Sequence, residues 1–188
     1  IIPAETASAQ RLTIVPDGVT DAGVITITET IALLYPGARF PFGGTAQDVA
    51  TADINGDALP DIVVVTNDSA NNVTTATLVS ILNRGDGTFS EPSSIPVGAL
   101  PADVTLADLN DDTFPDAVFA GFIDDSVYIA LGNGDGTFDA PQGYPASVEG
   151  TSSVAVGDIN GDEIPDVVAA SSAGNTIASL DLFLGTGD

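Results

Sequence analysis

Short apolar runs alternate along this chain with tight clusters of Asp, Asn, Gly and Pro. Val49–Ala52 and Val154–Val156 lead into such clusters, and Ile62–Thr66 and Val167–Ala170 lead out of them. A further run follows each cluster, at Thr77–Leu82, Val127–Leu131 and Ile177–Phe183, and weaker segments come after the first two of these, at Ser93–Val97 and Gln142–Ala146. Runs this short, rich in β-branched residues and bounded by turn formers, predict strands joined by tight turns. The expected fold class is all-β.

The clusters are copies of one another. Asp53-Ile-Asn-Gly-Asp-Ala-Leu-Pro-Asp61 recurs as Asp108-Leu-Asn-Asp-Asp-Thr-Phe-Pro-Asp116 and again as Asp158-Ile-Asn-Gly-Asp-Glu-Ile-Pro-Asp166, with the first Asp residues 55 and then 50 positions apart. A second motif is interleaved with the first: Asn83-Arg-Gly-Asp-Gly-Thr-Phe89 matches Asn133-Gly-Asp-Gly-Thr-Phe138 from its Gly-Asp-Gly onward. Four strands per unit of roughly 50 residues make a propeller blade. The expectation is β-propeller-like blades of four antiparallel strands, about three and a half in number: a half blade 24–46, blades 47–100 and 101–150, and an incomplete blade 151–188. Segment 1–23 adds an extension strand at Arg11–Val15 and a linker at Pro16–Gly23.

Composition sharpens this picture. Hydrophobic residues make up 44% of the 188, enough for a core, and the 27 acids divide into five Glu and 22 Asp. Asp belongs to turns and oxygen-ligand metal sites, whereas helix surfaces favour Glu and Lys. Only Arg11, Arg39 and Arg84 are basic, so the net charge is −24. A surface so short of cations argues against nucleic acid, where affinity rests on Lys and Arg neutralising phosphates, and against anionic membranes. No apolar run is long enough for a transmembrane helix. With no Cys and no His, neither disulfides, thiolate metal sites nor Ser-His and Cys-His nucleophile systems can be built. The chain is expected not to be an enzyme.

The spacing Asp-x-Asn-x-Asp-x-x-x-Asp suits a hard cation. Calcium takes oxygen ligands from carboxylates, amide carbonyls, backbone carbonyls and water. A coiled loop presents alternate side chains to a common centre: Asp53, Asn55 and Asp57, then the backbone carbonyl of Leu59, then Asp61. The corresponding sets are Asp108, Asn110, Asp112, Phe114 and Asp116, and Asp158, Asn160, Asp162, Ile164 and Asp166. Without a cation, three carboxylates per loop would repel one another at close range. For a single loop the alternative is an Asp-rich turn with Asx caps and no ion; threefold recurrence favours calcium, about three ions in all. An EF-hand loop requires a later acid and flanking helices, and these loops close at the ninth position between strands.

These residues resemble the FG-GAP, or VCBS-type, repeats of integrin α-subunit propellers and of many bacterial surface proteins and lectins. The resemblance covers roughly Phe40 to Asp188 and implies calcium in each loop and a ring of blades, more than this chain encodes. Asp111 departs from the pattern, standing where the other loops have Gly56 and Gly161.

Three further features bear on function. Arg84-Gly85-Asp86 spells an integrin-recognition tripeptide, but its counterpart Gly134-Asp135-Gly136 marks it as a turn. Asn67-Asp-Ser69 and Asn72-Val-Thr74 are candidate glycosylation acceptors in one polar loop. The last unit is one strand short while Arg11–Val15 has no blade of its own, so copies are expected to join head-to-tail by strand addition. The expected function is that of an extracellular structural subunit of a surface layer or fibre, with a leader absent from these residues. The alternative is a fragment of an adhesive or lectin-like propeller that binds glycans or surface proteins. Tyr35, Tyr128 and Tyr144 occupy non-equivalent places, which is unlike the recurring aromatic platforms of a lectin.

Overall fold

In the computed structural model, the described residues are 40–41, 43–70, 73–98, 100–147, 149–173 and 177–187. The chain divides into Ile1–Ala38 and Arg39–Asp188, and all described residues belong to the second unit. The extension strand, the linker and nearly all of the half blade expected at 24–46 therefore lie outside the described residues.

The described residues fold into eleven strands and no helix: β1 (Thr45–Ala52), β2 (Asp61–Ala70), β3 (Val73–Ile81), β4 (Ser93–Val97), β5 (Pro101–Ala107), β6 (Asp116–Gly121), β7 (Ser126–Ala130), β8 (Gln142–Pro145), β9 (Thr151–Gly157), β10 (Asp166–Ala173) and β11 (Ile177–Phe183). They form three antiparallel sheets, ordered β1-β2-β3-β4, β5-β6-β7-β8 and β9-β10-β11. Each sheet is a propeller-like blade, and each acidic loop connects the first strand of its blade to the second. The first blade begins at Thr45, slightly earlier than the boundary expected at 47. The polar stretch after Thr66 is also more ordered than a loop: β2 and β3 stay paired out to Asp68–Thr75, Ser69–Thr74 and Ala70–Val73. Thr-rich segments favour extended pairing, and that extends the ladder to a short connection.

Period-two alternation divides each second strand between two faces. In β6 and β10 the first and third residues after the buried Asp face the preceding blade, and in β2 and β6 the second and fourth face the next. Val63 and Val65 of β2 pack with Leu78 and Val97 against Val104, Ala117, Phe119 and Phe138 of the second blade. Val118 and Ala120 of β6 pack with Val127 against Val154, Val167 and Ala169 of the third. Ile62, Val64, Val79 and Ile81 line the opposite face of the first blade, where Phe40 packs and meets Phe89 edge-on at 5.2 Å. Phe119 stacks on Tyr128 at 5.4 Å, so this tyrosine is spent on the core.

Inner strands are tied together by carboxylates. Asp48 Oδ2 accepts the Val104 N–H at 2.9 Å, and Asp103 Oδ2 accepts the Val154 N–H at 2.9 Å and the Ser153 hydroxyl at 2.7 Å. Asp48 and Asp103 each stand five residues before the first Asp of their loop. A register shift in each inner-strand ladder lies beside this place, between Ala46 and Asp48 and between Pro101 and Val104. Such bulges re-aim a side chain out of its own sheet.

Candidate metal centre

The three loops share one hydrogen-bonding plan. In the first, Asp53 accepts backbone N–H groups from Asn55, Gly56, Asp57 and Ala58, the last at 2.7 Å. Asp108 accepts from Asp112 and Thr113, and Asp158 from Gly161, Asp162 and Glu163. The third and fifth positions bond reciprocally: Asn55 donates its side-chain amide to Asp57 at 3.1 Å and accepts the Asp57 N–H at 3.0 Å. Asn110 with Asp112 and Asn160 with Asp162 repeat this. The fifth Asp then caps the seventh residue, with Leu59, Phe114 and Ile164 each donating N–H at 2.8–2.9 Å. Desolvation, the largest single influence on Asp53, pushes its carboxyl up, but the N–H groups of Ala58, Gly56, Asn55 and Asp57 together hold it below its ordinary value.

Coiling this tightly requires left-handed backbone at two positions per loop. The fourth position has φ of 76° at Gly56, 61° at Asp111 and 83° at Gly161. Asp111 thus takes the conformation of the glycines it replaces, as Asp can at moderate cost. The sixth position is left-handed too, at Ala58 (64°), Thr113 (76°) and Glu163 (70°). Nothing in those residue types signals it, and a β-branched residue there is strained. The strain aims the sixth N–H at the first Asp.

The ninth Asp has a role that its ligand spacing did not reveal. Asp61, Asp116 and Asp166 are fully buried, and each bridges two parts of its blade. Asp61 accepts N–H from Ile54 (3.1 Å) and Asn83 (2.7 Å), Asp116 from Leu109 (2.9 Å) and Gly132 (2.8 Å), and Asp166 from Ile159 (2.9 Å) and Gly185 (2.9 Å). This carboxylate staples the start of the loop to the turn after the third strand. Burial pushes the Asp116 carboxyl up; the Gly132 and Leu109 N–H groups counter it, and the charges of Asp112 and Asp108 push it further up. For Asp166 the Gly185 N–H dominates and the carboxyl lies below its ordinary value. The seventh side chain packs against that same turn: a Cβ on Gly85 would stand 2.9 Å from Leu59, and one on Gly134 would stand 2.5 Å from the Phe114 ring.

Among the described residues, no three acidic side chains form a ready-made metal cluster. The first, third and fifth positions of each loop are drawn together by hydrogen bonds, and the ninth is tied to the second residue. The donor set nevertheless fits a hard cation: every side-chain donor is an oxygen of Asp or Asn, and Asp108 and Asp112 lie close enough to Asp116 to repel its charge. Asp53, Asn55, Asp57, Asp61 and the Leu59 carbonyl would hold the ion in the first loop, as would their counterparts in the others.

A family model described as FG-GAP-like repeat matches residues 53–119 and again 108–169. The two matches span more than half of the chain, and each begins at the first Asp of a loop. The chain belongs to the FG-GAP-like repeat family. Each FG-GAP-like match runs from one acidic loop through the next, ending at Phe119 or Ala169 in the second strand of the following blade. No curated protein matches the chain.

The remaining predicted sites fall as follows. Asp86 accepts the Thr88 N–H (2.9 Å) and hydroxyl (2.6 Å), and Asp135 accepts the same groups of Thr137 at 3.0 and 2.6 Å. The Arg84-Gly85-Asp86 turn thus has the geometry of its twin. Asn67 lies on β2 rather than in a loop, its amide donating to the Pro101 carbonyl at 3.3 Å and its Oδ1 buried without a partner. Asn72 lies outside the described residues.

Proposed function

We propose that this protein is an extracellular, calcium-stabilised structural repeat protein without catalytic activity, whose copies join head-to-tail by strand addition into a surface layer or fibre. The observation that carries the calcium part is the threefold recurrence of one oxygen-donor loop, in each of which the first Asp accepts the sixth N–H, on a chain of net charge −24. Calcium bound there would neutralise carboxylates that otherwise repel, so folding and binding are linked. Strand addition is supported by the third sheet. β3 is flanked by β4 and β7 by β8, but among the described residues β11 has no strand on its outer side. An open edge of this kind pairs readily with an added strand. The donor in this reading is Arg11–Val15, and a head-to-tail contact gives a ring or a filament.

Deleting residues 1–15 and sizing the product in calcium tests the assembly. Parent particles larger than one chain that revert to monomers on deletion are expected. A truncated form that assembles as well as the parent removes the donor role.

A further inference from the structure

The tripeptide Asn-Gly-Asp occurs three times, at Asn55–Asp57, Asn133–Asp135 and Asn160–Asp162. An asparagine followed by glycine is chemically fragile, because a residue without a Cβ lets its backbone nitrogen approach the side-chain amide carbon. The two residues that follow are the same at each step, so the fold is what separates the three. In the two acidic loops the nucleophile is occupied: the Gly56 N–H donates to Asp53 at 2.8 Å and the Gly161 N–H to Asp158 at 2.6 Å. Both Asn side chains are held as well, donating to Asp57 at 3.1 Å and to Asp162 at 2.8 Å while accepting the N–H of the same residue. Burial is not the distinction, since Asn133 and Asn160 are both exposed.

The turn after β7 lacks such an acceptor. In the first blade the Asn83 side chain accepts the Gly85 N–H at 3.0 Å, but Gly132 stands at that place in the second. Among the described residues the Gly134 N–H has no partner, and Asp135 is turned to the N–H and hydroxyl of Thr137. We propose that Asn133 is a self-modifying site, at which the chain converts its own asparagine into aspartyl and isoaspartyl residues. The Gly134 nitrogen attacks Asn133 Cγ, the bond from Cγ to the side-chain nitrogen breaks, and ammonia leaves with the proton that the Gly134 nitrogen gives up. Water then opens the succinimide ring at either carbonyl–nitrogen bond, giving one product or the other. The isoaspartyl product puts one more carbon into the backbone between Gly132 and Gly134. That turn is tied on both sides, by the Gly132 N–H to Asp116 at 2.8 Å and by the Gly136 N–H to the Ile54 carbonyl of the first blade at 3.0 Å, with Phe138 buried between the two blades. Lengthening the turn loosens this contact as the protein ages. The step requires neither calcium nor strand addition.

Peptide mapping by mass spectrometry tests this on the whole chain, held native or in urea in mildly alkaline buffer and sampled over time. In the native chain Asn133 should deamidate at least about tenfold faster than Asn55 and Asn160, the rate equivalent of one hydrogen bond to a charged group that must break first. In urea the three rates should converge. Asp158→Ala frees the Gly161 N–H and should speed deamidation of Asn160 while leaving that of Asn55 unchanged. A native rate at Asn133 no faster than at the loop residues overturns the proposal. A difference that persists in urea does so too, because it would belong to local sequence and not to the fold. The melting midpoint of the parent should fall as isoaspartate accumulates. Asn133→Gln, whose longer side chain disfavours the five-membered ring, should hold its midpoint over the same period, and an equal drift in both would sever the link to the contact between blades.

Discussion

Asp116→Ala should destabilise the protein even when no metal is present. Asp116 is fully buried, and its two oxygens accept the Leu109 and Gly132 N–H groups at 2.9 and 2.8 Å. Truncation orphans both donors, and an unsatisfied buried donor costs about 1–3 kcal/mol. Against this, the substitution removes a charge that burial disfavours and that Asp112 and Asp108 repel, the first of these being the main reason the carboxyl lies above its ordinary value. The net expectation is a loss of about 2–3 kcal/mol, a large part of the ~5–15 kcal/mol that holds a typical domain. Asp116→Asn keeps one acceptor and sheds the charge but turns an NH₂ toward the other donor, so it should lose about half as much. Urea unfolding in excess chelator measures both, because the midpoint shifts while the slope stays fixed. An Asp116→Ala curve that superimposes on the parent in chelator would show that this carboxylate is a ligand only and that the staple contributes nothing.

Two other predictions concern the backbone and the inter-blade carboxylates. Thr113→Gly relieves a β-branched residue at φ 76° and should stabilise the chain by up to about 1 kcal/mol by thermal unfolding, whereas a loss would mean that the strain is absent. Desolvation pushes the Asp103 carboxyl up, yet the Ser153 hydroxyl, the Val154 N–H, Asp48 and the Val104 N–H together hold it below its ordinary value. A depressed carboxyl stabilises the fold above the unfolded-state pKa, and that contribution disappears as pH falls through the folded-state value. Asp103→Asn should therefore flatten the acid limb of the stability profile below about pH 4, and an unchanged slope there would refute the assignment.

Strand order, blade period and loop positions were legible because period-two alternation and turn chemistry are local. Val63 and Val65 against Ile62 and Val64 already divide β2 between two faces. The first, third and fifth loop residues were legible for the same reason, since spacing alone brings them together. The stapling role of the ninth Asp was not legible, because one of its partners, such as Gly132 for Asp116, lies in the turn after the third strand, far along the chain. Left-handed backbone at Ala58, Thr113 and Glu163 left no trace, because none of these residue types favours it. The inter-blade carboxylates were half-written: Asp48 and Asp103 share one offset from their loops, but Ser153 breaks the series. Asn67 read as a loop residue because its polarity hid a strand continued by pairing with β3.

The central claim is that calcium belongs to the fold of these repeats. Thermal unfolding of the whole chain in millimolar calcium and in chelator tests it most directly. A cation bound only by the native state adds about 2.7 kcal/mol per site at a hundredfold excess over Kd, so the calcium curve should lie well above the chelator curve. Asp57→Ala and Asp162→Ala should each remove part of that shift, and Asp124→Ala, outside the loops, should leave it whole. Superimposed curves for the parent protein would contradict the account.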